Sequence, residues 1–268
     1  MYLDYFHLNE HPFSLTPDPK YLYFALTHRE ACEHVLYGIR SRKGFITLTG
    51  ECGCGKSTIC RAVLERLGPD TKTALILNPV LDGLQLLRAI LADFGVKAEG
   101  EDRFTLLQAL NKFLLKQAEA GVNVVLIIDE AQDLPAQTLE EVRLLSNLET
   151  TQQKLLQIVL SGQPELKERL ADPSLRQLRQ RITVRYHIKP LEPSEVGAYI
   201  EHRLKTAGAT DELHFTEDAI ERVVRYSKGV PRLVNAICDY ALMAGFTADT
   251  FEIDADCVAR AEYQLEGC

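Results

Sequence analysis

No stretch of this chain holds 18 consecutive apolar residues, so nothing in it reads as a membrane span. The first residues, Met1-Tyr2-Leu3-Asp4-Tyr5-Phe6-His7, lack the charged region and apolar run of a secretory leader. The seven cysteines are odd in number and irregularly spaced, which argues against a disulfide framework and for a reducing, cytoplasmic setting. The seven histidines show no metal-ligand spacing. Internal repeats and low-complexity tracts are missing as well. So is any excess of positive charge: 30 Lys and Arg stand against 38 Asp and Glu, a net charge of −8. Bulk electrostatics therefore disfavours nucleic acid, although a local basic stripe remains compatible with it. What is present is the composition of a soluble globular protein, 46% hydrophobic and 25% charged over 268 residues, enough to bury one full α/β core and a smaller second one.

Within that ordinary composition one stretch stands out. Gly50-Glu51-Cys52-Gly53-Cys54-Gly55-Lys56-Ser57-Thr58 follows the apolar run Phe45 to Thr49 and precedes Ile59, Ala62, Val63 and Leu67 at helical spacing. Strand, glycine-rich loop and helix in that order form a phosphate-binding loop. Its glycines let the chain wrap around phosphate oxygens with N–H groups inward, and the helix contributes the positive end of its dipole. Lys56 is expected to reach the outer phosphates and the Ser57 hydroxyl to ligate Mg²⁺. Cys52 and Cys54 have glycines and a lysine for neighbours rather than further metal ligands, and flank Gly53 in a poor geometry for a mutual disulfide. They read as small loop residues.

Around the loop, periodicity lays out the chain. Residues 1–27 are rich in proline and aromatics (Pro12, Phe13, Pro17, Pro19, Tyr21, Tyr23, Phe24), which predicts an extended or turning arm lying across the core domain. His28 to Arg40 reads as a helix. Beyond the loop helix come a buried-type strand at Thr73 to Leu77 and helices through Leu84–Phe94 and Phe104–Ala118. A central strand at Val124 to Ile128 is followed by a helix from Pro135, a strand at Leu155 to Leu160 and an alternating, edge-type strand at Ile182 to Ile188. Strands alternating with helices predict a doubly wound parallel five-stranded α/β sheet over residues 1–190. From 191 to 268 no further strand is expected, and Pro193–Ala207, Thr216–Lys228, Pro231–Ala244 and Asp254–Leu265 read as helices of a small lid domain.

The carboxyl ends of parallel strands face the ligand crevice, so the residues there carry the candidate chemistry. Asp129 and Glu130 end the central strand: the first is expected to hold Mg²⁺, the second to polarise a water for in-line attack. Ser161 and Gln163 end the next strand, where a polar side chain senses the terminal phosphate, or Ser161 merely caps the following helix. Arg176, Arg179 and Arg181 lie just before the last strand. Arg181 is the favoured candidate for a cation presented to a neighbour's nucleotide, with Arg179 the runner-up. Gly229-Val230-Pro231-Arg232 opens a helix of the small domain, placing Arg232 where it can report on the nucleotide.

This order of motifs resembles the AAA+ ATPases and, more closely, the secretion ATPases of the general secretion pathway protein A type. The narrower likeness rests on Pro12-Phe13, Pro17-Asp18-Pro19, Tyr37-Gly38-Ile39, Gly44-Phe45, Asp129-Glu130-Ala131-Gln132, Ser161-Gly162-Gln163-Pro164-Glu165-Leu166 and Gly229-Val230-Pro231-Arg232. The resemblance implies ATP and Mg²⁺ bound at the interface of a ring-like, ATP-dependent homo-oligomer, with the neighbouring subunit supplying the arginine. It also implies a partner in the cell-envelope secretion machinery or at the inner membrane. Long members continue into a transmembrane helix and a wall-binding domain, so this stretch resembles their cytoplasmic part or a short relative associated with exosortase and exopolysaccharide loci. Two other outputs share the core: a DNA-binding regulator of the transposition-ATPase type, and a nucleotide-switched scaffold with little turnover.

Overall fold

The computed structural model describes residues 1–16, 18–77, 79–149 and 153–267; Pro17 of the proline-rich arm and the terminal Cys268 lie outside them. In chain order the elements are α1 (Tyr2–Tyr5), α2 (Leu26–Arg40), β1 (Phe45–Gly50), α3 (Lys56–Arg66), β2 (Thr71–Ile76), α4 (Gly83–Asp93), α5 (Arg103–Glu119) and β3 (Asn123–Ile128). Then follow α6 (Ala136–Leu145), β4 (Gln157–Gly162), α7 (Pro164–Ala171), α8 (Arg176–Arg181) and β5 (Ile182–Ile188). The remainder comprises α9 (Pro193–Thr206), β6 (His214–Phe215), α10 (Glu217–Ser227), α11 (Pro231–Thr247), β7 (Glu252–Ile253) and α12 (Ala255–Glu266). They form two compact units, one of Met1–Arg29, Cys52–Thr58 and Lys189–Cys268, the other of Glu30–Glu51 and Ile59–Ile188. No helix among the described residues is long and apolar enough to cross a membrane.

The second unit is the expected doubly wound sheet, five parallel strands in the order β2-β3-β4-β1-β5. Its central strands β1 and β4 are buried along their whole length, and β3 at all but its first residue, as strands covered on both faces must be. β5 lies at one edge and alternates buried with exposed residues, as its sequence predicts. β2 differs from the expectation. It starts and ends earlier than Thr73 to Leu77, buries only Ala74 and Ile76, and leaves Leu77 51% exposed. The physical reason is its place at the other edge, with β3 as its one paired neighbour. β4 likewise begins at Gln157 rather than Leu155, because pairing to Val125 and Phe45 starts only at Gln157 and Ile158. Local side chains start the helices: Asp82 accepts from the Gln85 N–H while the Gln85 side chain returns to the Asp82 N–H at α4, and Asp102 caps α5.

In the other unit α9 to α12 appear where the apolar spacing puts them. The expectation that no strand follows residue 191 is corrected: β6 and β7 pair in parallel, burying Phe215 and Ile253. Two residues carry no periodicity, so nothing in the local pattern announces them. The N-terminal arm holds a short helix, α1, ahead of its prolines, and a 3₁₀ turn at Pro19–Tyr21. Its apolar side chains Tyr2, Phe6, Leu8, Phe13 and Tyr21 sit in one core with Val196, Ile200, Val234, Ile237 and Val258. The arm thus packs with the helices rather than forming part of the sheet unit.

Arg203 of α9 holds it there. This buried guanidinium donates from Nε to the Pro12 carbonyl at 2.6 Å, from Nη2 to that of Ser14 at 3.2 Å and from Nη1 to the Tyr199 hydroxyl at 3.1 Å. It also lies 4.6 Å from the centre of the Tyr21 ring. Replacing Arg203 by Ala strands two carbonyls and opens a gap, so denaturant titration is expected to show a loss of roughly 2–4 kcal/mol. A loss under about 1 kcal/mol would mean that the arm is held by its apolar contacts alone.

Candidate functional site

The parallel register builds the polar edge of the sheet. β3 and β4 pair Ile128 with Leu160, so the next residues in each strand direction, Asp129 and Ser161, are neighbours. β1 pairs Leu48 with Ser161 on the other side of β4. Asp129 is 2% exposed, and its Oδ1 accepts the Ser161 hydroxyl at 2.7 Å and the Glu130 N–H at 3.1 Å. Ser161 is wholly buried and lies inside β4, whereas the cap of α7 is Gln163. Its hydroxyl is therefore spent on orienting the carboxylate rather than on capping a helix.

Glu130 adopts a left-handed backbone conformation, φ +49° and ψ +38°, uncommon for a residue with a side chain and a form of strain that recurs at working sites. Its Oε2 accepts from Gln132 Nε2 at 2.8 Å and from Gln163 Nε2 at 3.4 Å. Gln132 in turn accepts the Gln163 N–H on its Oε1 at 3.0 Å, while its carbonyl takes a guanidinium N–H of Arg169. Gln163 thus faces the carboxylate of Glu130 and Ser161 that of Asp129. Sequence reasoning missed Gln132 and Arg169. The signal for Gln132 was its place in the Asp129-Glu130-Ala131-Gln132 motif, where no role was given to it; Arg169 carried none, because its contact comes from the packing of α7.

The phosphate loop occupies the other unit. Gly53 and Gly55 take positive φ values, +83° and +88°, the alternation that turns successive N–H groups to one side, and Lys56 begins α3 with its side chain 5% exposed. Arg232, one residue into α11, lies against the loop: its N–H donates to the Gly53 carbonyl at 3.2 Å and Nη1 to Cys52 Sγ at 3.8 Å. A Cβ on Gly53 would lie 2.5 Å from that of Arg232, so this approach requires glycine. Cys52 is exposed, Cys54 is buried, and neither is in a disulfide. His28, read from sequence only as the start of a helix, is buried and bonds the Cys54 carbonyl through Nε2 at 3.0 Å. Burial pushes its pKa down.

The arginines before β5 divide. Arg181 is partly buried and donates from Nη1 to Ser146 Oγ at 2.9 Å, whereas Arg179 is exposed, its Nη1 3.5 Å from the Ala171 carbonyl. Arg179 lines a cavity of about 400 Å³ with Lys167, Arg185, Thr47, Thr49 and His187, and no carboxylate lines it among the described residues. In a chain of net charge −8 this is a local cationic hollow.

The described residues fit Mg²⁺ and a phosphate chain by donor chemistry. A buried carboxylate with an oriented oxygen and a serine hydroxyl at a helix start are hard oxygen donors, and the loop offers backbone N–H groups. Each unit offers its own oxygen donor to such a group, the Ser57 hydroxyl at the start of α3 in one and the buried Asp129 carboxylate in the other.

Residues 39–170 match the family model described as AAA domain. General secretion pathway protein A of Aeromonas hydrophila is 45% identical over all 268 residues, and the chain spans 49% of that relative's length. Among solved structures, the ORC2 protein of Aeropyrum pernix superposes with a TM-score of 0.72 at 16% identity, covering 94% of this chain and 71% of that one. Cdc6p of Pyrobaculum aerophilum gives 0.70 at 19%, covering 90% and 67%, and the RuvB branch-migration motor of Thermotoga maritima 0.60 at 16%, covering 88% and 69%. The chain carries an AAA domain and has the AAA+ P-loop fold. Over all 268 residues it is similar to general secretion pathway protein A, of which it spans about half the length.

Proposed function

We propose that this chain binds Mg·ATP, hydrolyses it to ADP and phosphate at the interfaces of a homo-oligomer, and uses that cycle to assemble or remodel a cell-envelope secretion apparatus. The loop N–H groups and Lys56 hold the phosphates, and Ser57 and Asp129 hold the metal. Glu130 takes the proton of the attacking water, with Gln163 and Gln132 setting the position of its carboxylate. Ser161 acts through Asp129, by fixing the orientation of its carboxylate. Arg232 couples the helical region to the state of the loop. Arg181 serves the neighbour's nucleotide, already oriented by its bond to Ser146.

The observation that carries the chemistry is the oriented pair at the end of β3, an aspartate bound by Ser161 beside a strained glutamate held by two amides. The secretion role is supported by the identity to the Aeromonas relative. The likenesses to ORC2, Cdc6p and RuvB, all below 25% identity, speak for the fold alone. Such a chain works in the cytoplasm, or at the inner membrane through a partner or a further segment.

Static light scattering on the purified chain, with ATP, with ADP and without nucleotide, tests the shared-site mechanism alongside phosphate release with Mg²⁺ and with EDTA. Growth in mass with ATP and metal-dependent release of phosphate are expected. A monomer under all three conditions would overturn the interface mechanism, and salt-sensitive binding to duplex DNA would move the output to nucleic acid.

A further inference from the structure

His28 has no part in the roles given above, yet it touches the phosphate loop. The ring belongs to the first turns of α2, whose start is pinned to the helical unit by the Leu26 N–H donating to Glu195 Oε1 of α9 at 3.1 Å. His28 is 3% exposed and its Nε2 lies 3.0 Å from the Cys54 carbonyl oxygen. A carbonyl can only accept, so Nε2 carries the proton. Nδ1 is then a bare acceptor, buried, with no hydrogen-bond partner among the described residues. The ring's polar chemistry is thus directed at a single carbonyl in the middle of the loop.

That carbonyl belongs to the Cys54–Gly55 peptide. In a trans peptide the C=O and the following N–H point in opposite directions across one plane. A bond that draws the Cys54 oxygen towards His28 therefore aims the Gly55 N–H away from it. The approach is close: a Cβ on Gly55, whose φ is +88°, would lie 3.3 Å from His28 Nε2. Flipping this peptide would reverse both groups, replacing an N–H donor in the cradle by a carbonyl oxygen, and an oxygen there repels phosphate.

We propose that His28 is a positioning residue for phosphate binding: its Nε2–H holds the Cys54 carbonyl out of the cradle and so aims the Gly55 N–H into it. The proposal rests on the reading of the loop as a nucleotide site. It gives the arm and the helical region a direct mechanical tie to the phosphates, running from Glu195 through the start of α2 to the loop. A neutral ring suits the task, because protonating Nδ1 would bury an N–H with nothing to accept it.

The test separates the hydrogen bond from mere packing. Gln at position 28 can present an amide N–H near the place of Nε2, whereas Phe fills the ring's space without a donor. ATP affinity, by isothermal titration with Mg²⁺, is expected to fall about tenfold or more in His28→Phe and to stay within about threefold in His28→Gln. In turnover assays the loss in His28→Phe should appear in KM rather than kcat. Equal affinity for His28→Phe and the unaltered chain, or equal loss in both variants, would overturn the proposal. Failure of the unaltered chain to bind ATP would instead remove the nucleotide reading beneath it. Should His28→Phe not fold, ring ¹⁵N spectra of the unaltered chain decide. A proton fixed on Nε2, with the Gly55 amide resonance moving when pyrophosphate is added, is expected. A ring protonated on Nδ1, or a Gly55 amide indifferent to pyrophosphate, refutes the proposal.

Discussion

Glu130→Gln is expected to bind Mg·ATP with nearly the affinity of the unaltered chain while releasing phosphate about 10²–10⁴ times more slowly. The size of the loss follows from what changes. An amide has the shape of the carboxylate and can still accept from Gln132 Nε2, which now lies 2.8 Å from Oε2, so the local network survives. What disappears is the basicity needed to take a proton from water. Stability should change little, because Glu130 is only partly buried and the strain of its left-handed backbone is common to both side chains. Phosphate release and calorimetric ATP binding on the same preparation check both halves. Turnover within a few-fold of the unaltered chain would remove Glu130 from the role of base.

The second large effect concerns Arg181. A planar cation contributed across an interface stabilises the charge of phosphoryl transfer by roughly 10³–10⁵ in rate, so Arg181→Ala should lose about 10³-fold with ATP binding retained. Mixing supplies the decisive control. Arg181→Ala subunits keep Glu130, and Glu130→Gln subunits keep Arg181, so a mixed oligomer contains interfaces at which every group is present. Two nearly inactive proteins are expected to regain measurable turnover when combined. If the mixture stays as inactive as its components, Arg181 acts within its own subunit, where it already bonds Ser146. Arg179→Ala provides the contrast: it should leave turnover close to that of the unaltered chain, and the opposite ranking of the two arginines would move the trans role to the exposed side chain in the cationic hollow.

Much of this was legible along the chain. The loop declares itself because its function needs glycines, a lysine and a hydroxyl at fixed spacing between a strand and a helix. Asp129 and Glu130 were readable because they end an apolar run too short for a helix and too continuous for a surface strand. The helices after residue 191 followed from 3.6-residue spacing. Less legible were features that depend on an element's neighbours. The half-exposure of β2 and the late start of β4 come from the pairing of the sheet, which local hydropathy does not encode. Ser161 read either as a phosphate sensor or as a helix cap until the register set it beside Asp129.

The sequence by itself determined the phosphate-loop pattern, the order of the long elements and the residues at the strand ends, because each is written in local spacing over a few residues. The tertiary structure alone decided who meets whom. It selected the order β2-β3-β4-β1-β5, drew the arm into the helical core through Arg203, paired β6 with β7, and turned His28 onto the Cys54 carbonyl. The reason is physical: a side chain's partners across the fold are chosen by burial and hydrogen-bond satisfaction among residues far apart in the chain, and no local period records that choice.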